Sequence, residues 1–205
     1  VSRTVAEQLG RVYLDTGATY RAATLAIVRA GVDVRSEADV LSELENHTID
    51  YTDVGVLLDG ESVASDVRSG QVTRNVSAVS AHSLVRAAIV ETQRQWVDDR
   101  GADAVVEGRD IGTIVFPDAS VKIYLTASPL VRATRRSGDA EADGKSVAEI
   151  AAEIEARDHA DSTRKASPLR PADDALIIDT SELTIDEVVL RIIERVNEVN
   201  TDGGA

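Results

Sequence analysis

Cysteine is absent from all 205 residues, so the chain has no disulfide framework, no thiol nucleophile and no cysteine zinc site. That absence is compatible with a cytoplasmic protein. Aromatic residues are only 3% of the chain, so the core must come mainly from Val, Ile, Leu and Ala within a hydrophobic share of 43%. No run approaches the roughly 18 apolar residues of a membrane span, and no signal peptide is visible. Positive charge is scarce: 22 Lys and Arg face 36 Asp and Glu, a formal net charge of −14. Such a balance argues against non-specific nucleic-acid or anionic-membrane binding. Lysine is scarcer still, present only as Lys122, Lys145 and Lys165. An arginine-dominated set suits bidentate recognition of anions, although a base-composition bias would give the same ratio. Methionine is absent too, and the chain opens in a helical pattern over residues 1–9 closed by Gly10. A translated chain begins with Met, and a helix in a βα unit follows a strand, so an N-terminal segment is expected before Val1.

Along the chain, strand and helix patterns alternate, which argues for an α/β fold with a largely parallel sheet. Residues 11–15 (RVYLD) predict a short strand, with Thr16 placed to cap a helix over 17–30 that Gly31 ends. A helix over 36–46 follows. Residues 48–63 then alternate short β runs around an Asp59-Gly60 hairpin turn, the mark of a small β-rich insertion. Helices are predicted over 72–80 and 83–100, then buried strands over 104–106 and 121–125. Ser128-Pro129 starts a helix to 136, residues 137–144 read as a mobile polar loop, and Ser146 with Glu149 forms a capping box for a helix over 147–164. A last strand over 175–179 precedes a helix capped by Thr184 and Glu187, with Val188, Ile192, Val196 and Val199 on one side. Residues 201–205 read as a frayed tail.

Three clusters carry chemical information. Between the two predicted strands lies a glycine loop holding Arg109 and Asp110. Ligands of α/β sheets sit outside the carboxyl ends of strands, and an arginine fork there suits a phosphate. A surface salt bridge is the competing reading. On the helix over 147–164, Ile150, Ile154, Arg157, Asp161 and Arg164 share one stripe, apolar at first and then charged. Either the charged half faces a polar ligand, or the helix emerges into solvent and Arg157–Asp161 is a weak i,i+4 pair. The third cluster, DTGATYR over 15–21, places first-turn N–H groups and Arg21 where an anion can sit. Taken singly, the cluster favours an ordinary helix cap with a solvated arginine.

Taken together and in order, YLDTGATYRA, EGRDIGTIVFPDASVKIYLTAS and ARDHADSTRKASPL resemble the bacterial-type cytidylate (CMP/dCMP) kinases over essentially the whole chain. The resemblance implies a nucleoside-monophosphate-kinase-like parallel sheet with flanking helices, a small β-rich substrate-binding insertion and a short lid. Its implied division is core over 1–45, insertion over 46–83, core over 84–131, lid and flanking helices over 132–161, core over 162–200 and a tail. It implies phosphoryl transfer from ATP to CMP or dCMP, with Mg²⁺ bridging the ATP phosphates and no metal ligand from the chain. In that family Arg21, Arg109 and Arg164 would hold the substrate phosphate, and Arg157 and Asp161 the pentose hydroxyls. Ser77, Arg86 and Asp110 would read the cytosine edge, with Tyr20 and Thr16 lining the pocket. Arg132, Arg135 and Arg136 would bring positive charge onto the transferred phosphoryl group, a site that needs positioning and charge stabilisation rather than a nucleophile. His47, His82 and His159 match no family role and read as surface or packing residues.

One departure is plain: no G-x-x-x-x-G-K-[ST] loop for ATP occurs in these residues. A strand and that loop are therefore expected just before Val1, and the chain as given is expected to bind CMP but to be inactive. Two other readings stay open, a different P-loop small-molecule kinase and a non-catalytic nucleotide-binding module. The long insertion and the Ser77–Arg86 segment count against the first. No nucleic acid, no membrane and a monomer complete the expectations.

Overall fold

A computed structural model describes residues 1–138, 144–164 and 167–202. The elements run α1 (Ser2–Leu9), β1 (Val12–Asp15), α2 (Thr16–Ala30), α3 (Glu37–Leu44), β2 (Ile49–Thr52), β3 (Gly55–Leu58), β4 (Glu61–Ser62), α4 (Gly70–Val79) and α5 (Ser83–Asp98). They continue as β5 (Ala104–Glu107), a π-helical turn (Ile111–Val115), β6 (Ile123–Thr126), α6 (Pro129–Arg136), α7 (Val147–Thr163), β7 (Leu176–Asp179) and α8 (Ile185–Asp202). β1 pairs with β5 in a two-stranded sheet. The chain forms two compact units, one of Val1–Tyr13, Asp103–Val105 and Arg109–Ala205, the other of Leu14–Ala102 and Val106–Gly108.

In the first unit β6 and β7 run parallel, with Ile123 opposite Leu176 and Thr126 opposite Asp179. One layer covers this pair: Ile178 packs with Val5 of α1 and with Val188, Val189 and Ile192 of α8. The alternation along a strand turns Ile177 to the other face, 58% exposed, while Leu176 and Leu125 at the margins of the covered face are 40% and 41% exposed. The expectation of buried strands is corrected here. β5 is half-buried throughout, β6 is half-buried to exposed, and a strand with one covered face cannot bury both sets of side chains. α6 and α7 form a second, smaller core around Ala133, Ile150 and Ile154.

In the second unit β2, β3 and β4 form an antiparallel sheet, and Asp59-Gly60 turns between β3 and β4 with φ of 53° and 81°. Positive φ at both central residues matches the twist of a tight hairpin, and the Asp-Gly pair supplies it cheaply. The main core joins Tyr20, Ala23 and Ile27 of α2 to Val40, Val76, Val79, Val85 and Ile89. The predicted insertion over 46–83 lies within this larger unit, together with α2 and α5.

Helix ends follow their caps. Ser36, Ser69, Ser128 and Ser146 each accept an N–H of the first turn, and Thr184 and Glu187 cap α8 reciprocally. Thr16 does not cap α2 as expected. Asp15 does, accepting from Ala18 N at 3.0 Å, while the Thr16 hydroxyl donates to the Glu107 carbonyl at 2.7 Å. A carboxylate is the stronger acceptor and sits one residue earlier, where the chain is still extended. Residues 201–202, expected to fray, continue α8. Residues 139–143 of the expected mobile loop, and Lys165, lie outside the described residues.

Candidate active site

α7 carries the charged stripe inward. Its first half buries Ile150 and Ile154, and Asp161, three turns on, is 6% exposed. The solvent-facing reading of that stripe therefore fails: its central carboxylate is covered. Arg109 Nη1 donates to Asp158 Oδ1 at 2.8 Å, and Arg109 Nε lies 3.5 Å from Asp161 Oδ2. Arg132 Nη2 meets the other oxygen of Asp158 at 2.5 Å. Arg157 Nε is 3.9 Å and Arg164 Nη1 3.5 Å from the Asp161 carboxylate. Four guanidiniums are thus linked to two carboxylates within a chain of net charge −14. Burial pushes the Asp158 carboxyl up, but hydrogen bonds from Arg132 and Arg109 outweigh it and hold the group below its ordinary range. Buried charges persist only when paired, and here each carboxylate is shared by at least two guanidiniums.

The segment expected to be a glycine loop is instead a π-helical turn, with the Asp110 carbonyl accepting from Thr113, Ile114 and Val115. Arg109 pairs with α7 and not with its neighbour Asp110, which is 5% exposed. The surface-salt-bridge reading of that pair fails with it. Among the α6 arginines, Arg135 is committed elsewhere. It donates to Thr180 Oγ1 at 3.0 Å, to the Thr180 carbonyl at 2.6 Å and to the Leu183 carbonyl at 3.3 Å. Arg136 is half-buried at the end of α6.

The second unit holds Thr16, Tyr20, Arg21, Ser77 and Arg86. Asp15 and Thr16 lie at the β1–α2 junction, and a Cβ at Gly17 would come 3.1 Å from Asp15 Oδ1, a tight approach to the capping carboxylate. The Asp15 carboxyl is pushed up by burial and by the nearby Glu107 carboxylate, against the pull of the Ala18 and Gly17 N–H groups. Arg21 Nη1 donates to the Val67 carbonyl and to Thr73 Oγ1, each at 3.0 Å. Arg86, 4% exposed, donates to the Ser80 carbonyl at 3.2 Å and stacks its guanidinium 5.1 Å from the Tyr20 ring centre. Ser77 is half-buried on α4. Gln93, 1% exposed, donates to Thr19 Oγ1 at 2.8 Å beneath this cluster.

The family model for cytidylate kinase matches residues 1–198. The chain belongs to the cytidylate kinase family. Similar proteins include a cytidylate kinase of Rhodococcus opacus, 49% identical over 205 residues that cover 97% of this chain and 89% of the relative. One of Mycobacterium leprae is 46% identical over 97% of this chain and 89% of its own length. One of Lactobacillus johnsonii is 44% identical over 95% and 86%. A cytidylate kinase fold is α/β with flanking helices, as seen here. The matches give no support to the expectation that a strand and phosphate loop are missing, or that the chain is inactive. Among the described residues no helix is long and apolar enough to cross a membrane.

The sequence reading overlooked Asp158. Its signal was available: it stands three residues before Asp161 in ARDHAD, on the same helical face. What sequence could not give is Arg132 arriving from another helix to share its carboxylate.

Proposed function

We propose that this chain transfers a phosphoryl group from ATP to CMP or dCMP, giving CDP or dCDP. Membership of the cytidylate kinase family supports the reaction, and the network of four arginines on two aspartates is the observation that carries it to particular residues. On this reading Arg21, Arg109 and Arg164 hold the CMP phosphate, and Arg157 and Asp161 meet the pentose hydroxyls. Ser77, Arg86 and Asp110 read the cytosine edge beside Tyr20 and Thr16. Arg132 and Arg136 serve the transferred phosphoryl group. Arg135, spent on the carbonyls after β7, anchors α6 instead.

Mg²⁺ would travel with ATP, neutralising charge between its phosphates. Among the described residues no group of three or more His, Cys, Asp or Glu could hold a metal ion. A monomer in the cytoplasm belongs to the same proposal, the charge of −14 opposing self-association. A coupled assay with ATP and Mg²⁺ against CMP, dCMP, UMP and AMP tests the reaction. Turnover of CMP or dCMP well above AMP is expected. CMP binding without any turnover returns the chain to a nucleotide-binding module.

A further inference from the structure

Asp158 has no role in the assignments above, yet it sits at the centre of the arginines. Each of its two oxygens is given to a different guanidinium, one on the turn after β5 and one on α6. A carboxylate and a phosphate compete for the same N–H groups, because both accept charge-assisted hydrogen bonds from arginine. Arg109 is engaged on two sides, through Nη1 by Asp158 and beside Nε by Asp161. Each bidentate face of a guanidinium includes either Nε or Nη1 together with Nη2. A phosphate cannot take two parallel bonds from Arg109 without displacing a carboxylate or sharing its donor.

Of the two carboxylates, Asp161 is the more deeply covered, at 9% side-chain exposure against 25% for Asp158, and its distance to Arg109 is the longer. Asp158 is therefore the one with room to leave. Arg132 is held but not satisfied: its buried Nε has no hydrogen-bond partner.

We propose that Asp158 is a resident stand-in for the substrate phosphate, ordering Arg109 and Arg132 before substrate arrives and yielding Arg109 when a nucleoside monophosphate binds. This rests on the assignment of Arg109 to the CMP phosphate. Asp158 is a positioning residue that acts through the two arginines and touches no substrate atom. Its carboxylate lowers CMP affinity, because the phosphate must first win the guanidinium from it. In return the arginines are kept ordered and part of their charge is offset while no phosphate is present.

The sign of the mutational effect separates this from a structural ion pair. Titration calorimetry compares CMP with cytidine, which lacks the phosphate, on wild type and Asp158→Asn. The variant is expected to bind CMP about five- to tenfold tighter, since one negative charge near the phosphate is gone, and to bind cytidine as wild type does. CMP binding that is unchanged or weaker in a folded Asp158→Asn protein overturns the proposal, as does equal tightening for cytidine. Should the variant not fold, a structure of the wild-type protein with CMP decides. Arg109 Nη1 must then have left Asp158 for a phosphate oxygen, and an Asp158–Arg109 bond kept intact overturns the idea. A wild-type protein that binds neither CMP nor dCMP refutes the kinase assignment itself, a different failure from that of Asp158.

Discussion

Replacing Asp161 by Asn keeps the side-chain volume and removes only the charge that three arginines share. The carboxylate lies 3.5 Å from Arg109, 3.9 Å from Arg157 and 3.5 Å from Arg164, with 9% of its side chain exposed. At an effective dielectric of about 20, one such pair is worth about 4 kcal/mol before desolvation, which takes back several kcal/mol per buried ion. Removing one partner of a buried pair typically costs about 3–5 kcal/mol. Two of the arginines can turn part of their charge to water, since Arg109 and Arg157 are 36% and 33% exposed, whereas Arg164 at 11% cannot. The expected loss is therefore smaller, about 2–3 kcal/mol, most of it at Arg164, the most covered of the three. Urea unfolding at two salt concentrations measures it, and little screening by salt is expected for a covered pair.

The same variant divides ligand binding. Losing a charged contact to the pentose should weaken cytidine by roughly one to two decades, from about 1.5–3 kcal/mol. The phosphate gains from the extra positive charge left behind, so CMP should weaken less than cytidine. A stability change of about 0–1 kcal/mol, with wild-type cytidine binding, would mean an ordinary surface pair, and both the stripe and its ligand would have to be given up.

Other perturbations have equally definite signs. Asp15→Asn keeps the helix cap but removes the charge that burial and Glu107 oppose, so it should raise stability near pH 7 by up to about 1 kcal/mol. Because the folded carboxyl is raised, the native state holds this proton longer than the unfolded one. The wild-type penalty grows as pH rises from the ordinary 3.8 through the raised value, and the advantage of the variant should vanish below that window in urea melts. His47 bonds Asp59 at 2.7 Å and Glu43 at 3.2 Å, and these bonds, Asp59's first, raise its pKa above 6.5. Its contribution is fully present below the unfolded value and is lost as pH rises through the folded one, so His47→Gln should flatten stability from neutral pH upward. Arg135→Ala should destabilise by roughly 1–3 kcal/mol through its lost carbonyl contacts. Hydrogen exchange should quicken in α6 with CMP affinity little changed, and a large loss of affinity would restore Arg135 to the substrate.

Local signals in this sequence translated well where one residue type has one geometric use. Gly31 ends α2 with φ of 69°, Asp59-Gly60 makes the tight hairpin, and Ser146 with Glu149 caps α7 as the S-x-x-E spacing requires. Where two residues competed for one task, sequence was ambiguous: Asp15 and Thr16 both suit an N-cap, and the outcome depended on the Glu107 carbonyl, 91 residues away. Strand burial was misread for a related reason. β-branched runs such as 121–125 announce strands, but how many faces are covered depends on what packs against them, and here one layer does.

The site was legible as a list and not as a circuit. Arg157, Asp161 and Arg164 could be placed on one face by helical period alone, and whether that face looked inward was settled only by the 6% exposure of Asp161. Arg132 and Arg135 are three residues apart on one helix and chemically identical in sequence. One ends on an aspartate of α7 and the other on carbonyls after β7, because successive positions on a helix point at different neighbours. An arginine's role is thus fixed by which acceptor it meets, and acceptors are brought by distant parts of the chain.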